Sequence, residues 1–168
     1  MKPAPNVLLS VRDLQRLESV EMHMERVVDV RSKQSHLFGL TQSEDALLLI
    51  AAGDVIAGVD LSELQEGDVE VDWKARRAKI VLPPPKVLGS KIDNERTYVY
   101  SRNVDLFAKR KESLESEARA EAEKEIVKGA RDAGILDRAG KSASHTVENL
   151  VRSLGFDRVE VTSKAPPS

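Results

Sequence analysis

Apolar and polar residues alternate along the first part of the chain. From Leu17 to Arg31 the apolar members of this alternation are Val20, Met22, Met24, Val28 and Val30. Because successive side chains of a strand point to opposite faces, a period of two predicts a half-buried strand, either unbroken or bulged. The stretch from Val7 to Val11 is interpreted as a short strand or a lead-in, and Ser32 to Asp45 as a loop.

A continuously apolar run follows, from Ala46 to Ala52. It is too short for a buried helix, so it predicts a strand that is covered on both faces. Gly53 and Asp54 come next, and a second apolar stretch then runs from Val55 to Leu61. This pattern fits a hairpin at Gly53 or one long bent strand, and we favour the bent strand.

The alternation at Val69, Val71 and Trp73 resumes at Ala78, which predicts a hairpin that closes over residues 74–77. A turn, with one helical turn capped by Ser62 as an option, is predicted before it, over residues 62–67. The prolines at 83–85 end the hairpin, because proline cannot donate a backbone hydrogen bond. Residues 87–92 are expected to form an edge strand and residues 98–100 another short strand.

The last third of the chain changes to a helical period. Two helices are predicted, over about residues 103–133 and 135–154, with Asn103 as the first cap and Gly134 and Gly155 ending them. Val159 and Val161 predict a closing strand. The fold class is therefore α+β: a mixed or antiparallel sheet from the N-terminal two-thirds, then two helices and a strand. One domain is expected over residues 7–162, with linker-like proline-bearing tails at 1–6 and 163–168.

Composition narrows the range of functions. The chain has 168 residues, of which 32% are charged and 4% aromatic, and its net charge is −2. A weakly acidic chain with few aromatic residues is not typical of a nucleic-acid binder. It has no cysteine, so disulfides and thiolate metal sites are excluded, and its three histidines lie far apart in sequence. No cofactor or metal motif is recognised, and no catalytic residue is assigned.

Several segments taken together resemble a known family. They are residues 53–62, Val69-Glu70-Val71-Asp72, residues 80–85, residues 92–96, Ala133-Gly134-Ile135, Ala139 and residues 150–156. In order and spacing they resemble the bacterial domain of unknown function DUF4230, over roughly Val11 to Val161. The resemblance implies no established activity. It implies that members often carry an N-terminal membrane anchor before this domain, which would explain the proline-bearing start of this chain.

Acidic residues at predicted strand ends and turns form one candidate site. Carboxylates there can hold a hard cation or act as an acid and base pair, and a neighbouring arginine can bind an anion. The candidate ligand-binding residues are Asp60, Asp72, Asp93, Glu95 and Arg96. Turn formation and local pairing are the alternative roles for each of them.

The tip of the predicted hairpin is a second candidate surface. Trp73, Lys74, Arg76 and Arg77 would contact anionic lipid headgroups if the domain is held near a membrane. The alanine-rich face of the first long helix is a third. It would pack on the sheet of its own chain or on a partner. His23, His36 and His145 are interpreted as structural.

Two functions follow from these features. The first is a non-enzymatic module, the soluble part of a membrane-anchored bacterial envelope protein, acting through a protein partner or self-association of the C-terminal helices. The alternative is a small-ligand or divalent-cation-binding domain, possibly a hydrolase, that uses the acidic residues. A location at the cell envelope is expected, on a side of the membrane that the sequence leaves open.

Overall fold

The computed structural model describes residues 6–36, 41–103 and 108–164. Its helices and strands follow one another in this order: α1 (Val7–Arg12), β1 (Arg16–His36), β2 (Thr41–Asp60), β3 (Val69–Asp72), β4 (Arg77–Leu82), β5 (Lys86–Asn103), α2 (Ala108–Asp132), α3 (Ile135–Ser153) and β6 (Arg158–Ser163). Short 3-10 turns at Leu61–Glu63 and Glu66–Asp68 lie between β2 and β3. After the short helix α1, the strands β1 to β5 precede two long helices and a closing strand, which confirms the α+β class.

The chain divides into two compact units. The first contains residues 1–21, 56–89 and 134–168, and the second contains residues 22–55 and 90–133. The single domain expected from the sequence stays a prediction. The described part of the predicted C-terminal tail is structured, since Ser163 ends β6 and Lys164 forms an ion pair with Asp68.

The first unit is built on a sheet of order β3-β4-β6. The predicted hairpin is confirmed: β3 and β4 are antiparallel, with Val69 opposite Ile80 and Asp72 opposite Arg77. β6 joins β4 in parallel, which makes the sheet mixed. α3 lies nearest β6. The core of this unit is aliphatic, apart from one phenylalanine, and consists of Val7, Val11, Val59, Leu61, Leu64, Ala78, Ile80, Leu82, Ala143, Val147, Val151 and Phe156.

The predicted strand or lead-in at Val7–Val11 is wrong, because this segment forms α1. The side chain of Asn6 accepts a hydrogen bond from the N–H of Leu9 and so caps the helix. Val7 and Val11 are four residues apart and both are buried, which is one face of a helix. In so short a segment the apolar positions fit a strand and a helix almost equally well, and burial in the core decides.

The second sheet has the order β1-β2-β5. β2 continues through Gly53, so the prediction of one long strand is confirmed and the hairpin is not. β5 is continuous where two short strands were predicted. The predicted loop at Ser32–Asp45 is wrong for residues 32–36 and 41–45, which belong to β1 and β2, because hydrogen bonds to a neighbouring strand can hold polar sequence extended. Residues 37–40 lie outside the described ranges.

The alanine-rich face of α2 is buried within its own chain. Its buried alanine, leucine and isoleucine residues recur every four positions and are Leu114, Ala118, Ala122, Ile126 and Ala130. A Cβ at Gly53 of β2 would lie 3.1 Å from Cδ1 of Ile126, so α2 packs directly on the β1-β2-β5 sheet. Small residues allow this close approach. Self-association through the C-terminal helices stays a prediction, and it would have to use their exposed faces.

The predicted helix ends are confirmed at Gly134 and Gly155 but not at Asn103. Gly134 separates α2 from α3 with φ of +81°, and Gly155 follows α3 with φ of +105°, both in the left-handed region that glycine adopts readily. Asn103 was expected to cap the first helix but ends β5, and the helix is described from Ala108. Phe107 lies outside the described residues. No helix in the described ranges is both long and apolar enough to cross a membrane.

Candidate functional site

The face of the β1-β2-β5 sheet that points away from α2 carries a connected set of charged side chains. On the α2 side, a Cβ at Gly129 would lie 2.0 Å from the guanidinium of Arg26, so Arg26 of β1 faces the helix. His23 and Glu25 differ from Arg26 by an odd number of residues and therefore face the other way. Asp54 follows Gly53, which also faces α2, and so joins them.

Four side chains on this face form what we call the charged row: His23, Glu25, Asp54 and Arg96. Nδ1 of His23 lies 2.7 Å from Oδ1 of Asp54, and Nε2 of the same ring lies 2.8 Å from Nη1 of Arg96. Nη2 of Arg96 donates to Oε1 of Glu25 at 2.6 Å. Because β2 separates β5 from β1 in the sheet, Arg96 reaches across the central strand.

These contacts assign the tautomer of His23. Arginine has only hydrogen-bond donors, so Nε2 of His23 must accept from Arg96. The proton of the neutral ring is then on Nδ1, where it is donated to Asp54. Both ring nitrogens are occupied, so the histidine is oriented by its neighbours and has no free nitrogen for proton transfer to a substrate.

An irregularity in β5 brings Arg96 to this face. The side chains of Ser90 and Asn94 form hydrogen bonds with Glu123 and Arg119 of α2. The even-numbered residues of β5 up to Asn94 therefore face the helix. Oδ1 of Asp93 accepts from the N–H groups of Glu95 and Arg96 at 2.9 and 3.2 Å. This side-chain turn shifts the alternation by one residue, as a β-bulge does.

Large apolar and aromatic side chains lie beside the charged row. Val27 is 66% exposed, Tyr98 54% and Tyr100 67%. Val27 shares the parity of His23 and Glu25 on β1, and the tyrosines share the parity of Arg96 on β5 after the bulge. We call the charged row together with these three residues the open face. Tyrosine and arginine are enriched where proteins bind one another.

The predicted ligand-binding residues are divided between the two units. In the first unit, Asp60 accepts from Ser62 and pairs with Lys86, whose Nζ lies 3.3 Å from Oδ2. The Ser62 hydroxyl is the main cause of a lowered pKa for Asp60, with Lys86 contributing. Lys86 is held at 2.6 Å by Glu63, which raises the pKa of the lysine. Asp60 is thus a charged turn residue with local partners.

Asp72 and Asp93 have the same local role. Oδ1 of Asp72 accepts from the N–H groups of Lys74 and Ala75, which turns the chain at the tip of the hairpin. Asp93 forms the turn that places Arg96, and the N–H of Glu95 is one of its donors. Among the described residues no group of three histidine, aspartate or glutamate side chains is placed to hold a metal ion. Ligand binding by these residues stays a prediction.

The sequence reasoning missed His23, Glu25 and Asp54. The alternation of β1 already placed His23 and Glu25 on its polar face, which was the available signal. The sequence pattern does not record the register between strands. Residues 23, 54 and 96 lie close together only because β1, β2 and β5 pair in one sheet. Local pairing was the alternative role given for Arg96, and its carboxylate partner in the structure is Glu25.

The basic hairpin tip is partly engaged within the first unit. The ring of Trp73 lies 4.6 Å from that of Phe156 and is 44% exposed. Arg76 adopts φ of +50°, donates to the carbonyl of Gly155 and pairs with Asp157 at 3.2 Å. Lys74 and Arg77 are exposed. Contact with a membrane surface stays a prediction for this tip.

The fold and the open face define an α+β protein. The family model for "Protein of unknown function (DUF4230)" matches residues 9–161 of the chain, which is nearly its whole length. The chain belongs to this family, as the resemblance in the sequence indicated. No curated protein and no solved structure matches it.

Proposed function

We propose that this chain is a non-enzymatic module that acts through protein-protein contacts, with the open face as its contact surface. The observation that carries the proposal is the exposure of Val27, Tyr98 and Tyr100 next to a charged row whose members already bind one another. An interface of this kind combines aromatic area with polar groups that need no new partner to remain satisfied.

The exposure of the same side chains argues for a protein partner over a small ligand. His23 and Asp54 are 39% exposed, Arg96 55% and Glu25 57%. A pocket for a small molecule normally shields most of the ligand surface and is lined by buried groups. A broad, exposed sheet face is suited instead to another protein surface of comparable area.

The alternative, a small-ligand or cation-binding domain with a possible hydrolase activity, has less support. Asp60 uses both carboxylate oxygens on Ser62 and Lys86, and Asp72 and Asp93 each use Oδ1 on backbone N–H groups. A carboxylate that binds a divalent cation needs its oxygens for the ion. A rise in melting temperature on adding calcium or magnesium, lost in Asp60→Asn or Asp93→Asn, would favour this alternative.

Site-directed photo-crosslinking in the source cells tests the proposed contact surface. A photoreactive phenylalanine analogue replaces Tyr100 in one variant and Ala120, on the exposed side of α2, in a matched control. We expect a discrete adduct with a second protein or a second copy at Tyr100, and none at Ala120. Equal labelling at both positions, or no adduct at Tyr100, would contradict the proposal.

Placement at the cell envelope belongs to the same proposal and rests on the membrane anchor that the family resemblance implies. It is tested separately from the contact surface. Fractionation of cells that express the full reading frame should recover the protein with membranes, and washing with high salt should not release it. Recovery in the soluble fraction would contradict the membrane anchor. It would not bear on the open face as a contact surface.

A further inference from the structure

The outer edge of β6 presents unpaired backbone groups. β6 pairs with β4 on one side only, and the order β3-β4-β6 leaves its other side free. The N–H of Lys164 donates to the carbonyl of Leu82 at 2.9 Å. The even-numbered residues of β6 therefore direct their N–H and C=O groups toward β4. The outward N–H and C=O groups belong to Val159, Val161 and Ser163. Within residues 6–36, 41–103 and 108–164 these groups have no hydrogen-bond partner.

A groove of about 670 Å³ lies between α3 and the C-terminal end of β6, where Val161, Thr162 and Ser163 line it. Its helix side includes Leu136, Gly140 and Ser144, its strand side includes Val161, and Pro85 also lines it. A Cβ at Gly140 would lie 3.5 Å from Cγ of Pro85, which is ordinary contact distance, so glycine leaves the groove open at this point without being required for packing.

We propose that this groove binds an extended peptide that adds a strand to β6. The unpaired N–H and C=O groups are complementary to an extended backbone, which gives binding without a particular sequence. The side chains that point toward α3 enter the groove beside Leu136 and Val161, so the peptide carries aliphatic residues at alternate positions. This inference is independent of the open face, which belongs to the other unit.

The dimensions of the groove fit such a segment. Its helix lining extends from Leu136 to Glu148, which is roughly 18 Å at the rise of an α-helix. An extended chain covers that distance in about five residues. In an antiparallel pairing, the three outward residues of β6 would bond to three alternate peptide residues, whose side chains point to the same face as Val161 and enter the groove.

A second copy of this chain fits the same edge less well. α3 lies over β6, so a copy that continued the sheet from this edge would carry its own α3 over its own β6. The two helices would then be separated by about the spacing of neighbouring strands, roughly 5 Å. Packed helices keep their axes about 8–10 Å apart. A peptide without a helix meets no such conflict.

Selection from a displayed library of random peptides of about ten residues, longer than the groove, tests the proposal on the full chain. Enriched peptides are measured against Val161→Pro, which removes an outward N–H and no ladder bond, and against Gly140→Leu, which fills the groove. Ala120→Leu, on the exposed side of α2, is the matched control. Circular dichroism establishes whether each variant is folded. If Val161→Pro does not fold, the comparison of Gly140→Leu with the original chain is enough to test the proposal.

We expect enriched peptides with alternate aliphatic residues whose affinity falls about tenfold or more in Gly140→Leu and is unchanged in Ala120→Leu. Their amide shift changes should centre on Val159, Val161 and Ser163. Absence of enriched peptides, or peptides that bind Gly140→Leu as well as the original chain, would overturn the proposal. So would a concentration-dependent dimer that Gly140→Leu dissociates, since a second copy would then occupy the edge.

Discussion

Nη1 of Arg96 lies 2.8 Å from Nε2 of His23, which obliges this ring nitrogen to accept a hydrogen bond and leaves the ring proton on Nδ1. We therefore expect the proton of the neutral His23 ring to lie on Nδ1 and not on Nε2. Long-range proton–nitrogen correlation spectra of the histidine rings measure this directly. Arg96→Ala should let the ring exchange between tautomers, while Arg119→Ala, on α2, should not. An Nε2–H ring in the unaltered chain would show the contact to be wrong.

The fit of α2 on its own sheet predicts different effects for two alanines in the same helix. Ala122 is fully buried, whereas Ala120 lies on the more open side of the helix. Ala122→Leu should lower the free energy of unfolding by about 1–3 kcal/mol, because the extra volume has no space to enter. Ala120→Leu should change it by less than about 0.5 kcal/mol. Denaturant titration measures both, and equal effects would mean that the alanine-rich face is not packed.

Gly58 permits a close backbone approach within the first unit. A Cβ at this position would lie 2.0 Å from the carbonyl oxygen of Leu17 and 2.8 Å from Cδ1 of Leu88. Gly58→Ala should therefore cost about 3 kcal/mol or prevent folding, since a backbone atom cannot move aside cheaply. Gly89→Ala is the control, because a Cβ added at Gly89 would meet no other atom within 4 Å. A stable Gly58→Ala protein with an unchanged thermal midpoint would contradict this close approach.

The ion pair of Asp68 and Lys164 predicts a dependence of stability on acid. Nζ of Lys164 lies 2.7 Å from Oδ1 of Asp68. This hydrogen bond, with that from the Gln65 N–H, lowers the pKa of Asp68 below its usual value of about 3.9. A lowered pKa in the folded state stabilises the protein above the unfolded pKa. That contribution is lost as the pH falls through the folded pKa.

Urea unfolding between neutral pH and about pH 2 measures this contribution, because the window must extend below the aspartate pKa of about 3.9. Asp68→Asn should be less stable than the original chain at neutral pH and lose less stability on acidification. Lys164→Gln should show the same change in slope, and the double variant should add little to either single change. Parallel pH profiles for all four proteins would disprove a contribution from this pair.

Trp73 is the single tryptophan of the chain and reports on the hairpin tip. If the tip contacts anionic lipid, as predicted from the sequence, its fluorescence should shift to shorter wavelength with phosphatidylglycerol vesicles and not with phosphatidylcholine vesicles. The double change Lys74→Glu and Arg77→Glu should abolish the shift, whereas Lys124→Glu on α2 should preserve it. An unchanged spectrum with anionic vesicles would remove the tip as a membrane surface.

The elements predicted well are those with strong local signals. The hairpin of β3 and β4, the helix α3 between Gly134 and Gly155, and the closing strand β6 all follow from periodicity, turn residues and left-handed glycines. These signals act between residues that are close in sequence. They are therefore present in the chain before any tertiary contact forms.

Other features depended on which segments meet. Val7 to Arg12 became a helix because Val7 and Val11 both enter the core, and the polar ends of β1 and β2 stayed extended in the sheet. The turn formed by Asp93 shifts the alternation of side chains along β5 by one residue. The side chain of Arg96 therefore reaches across β2 and contacts His23.

By itself, the sequence determined the periods, the turns and the α+β class of this protein, because each is set by neighbours along the chain. Only the tertiary structure decided the charged row and the groove beside β6. Both are made by residues far apart in sequence, and their meeting depends on strand register, which no local pattern records.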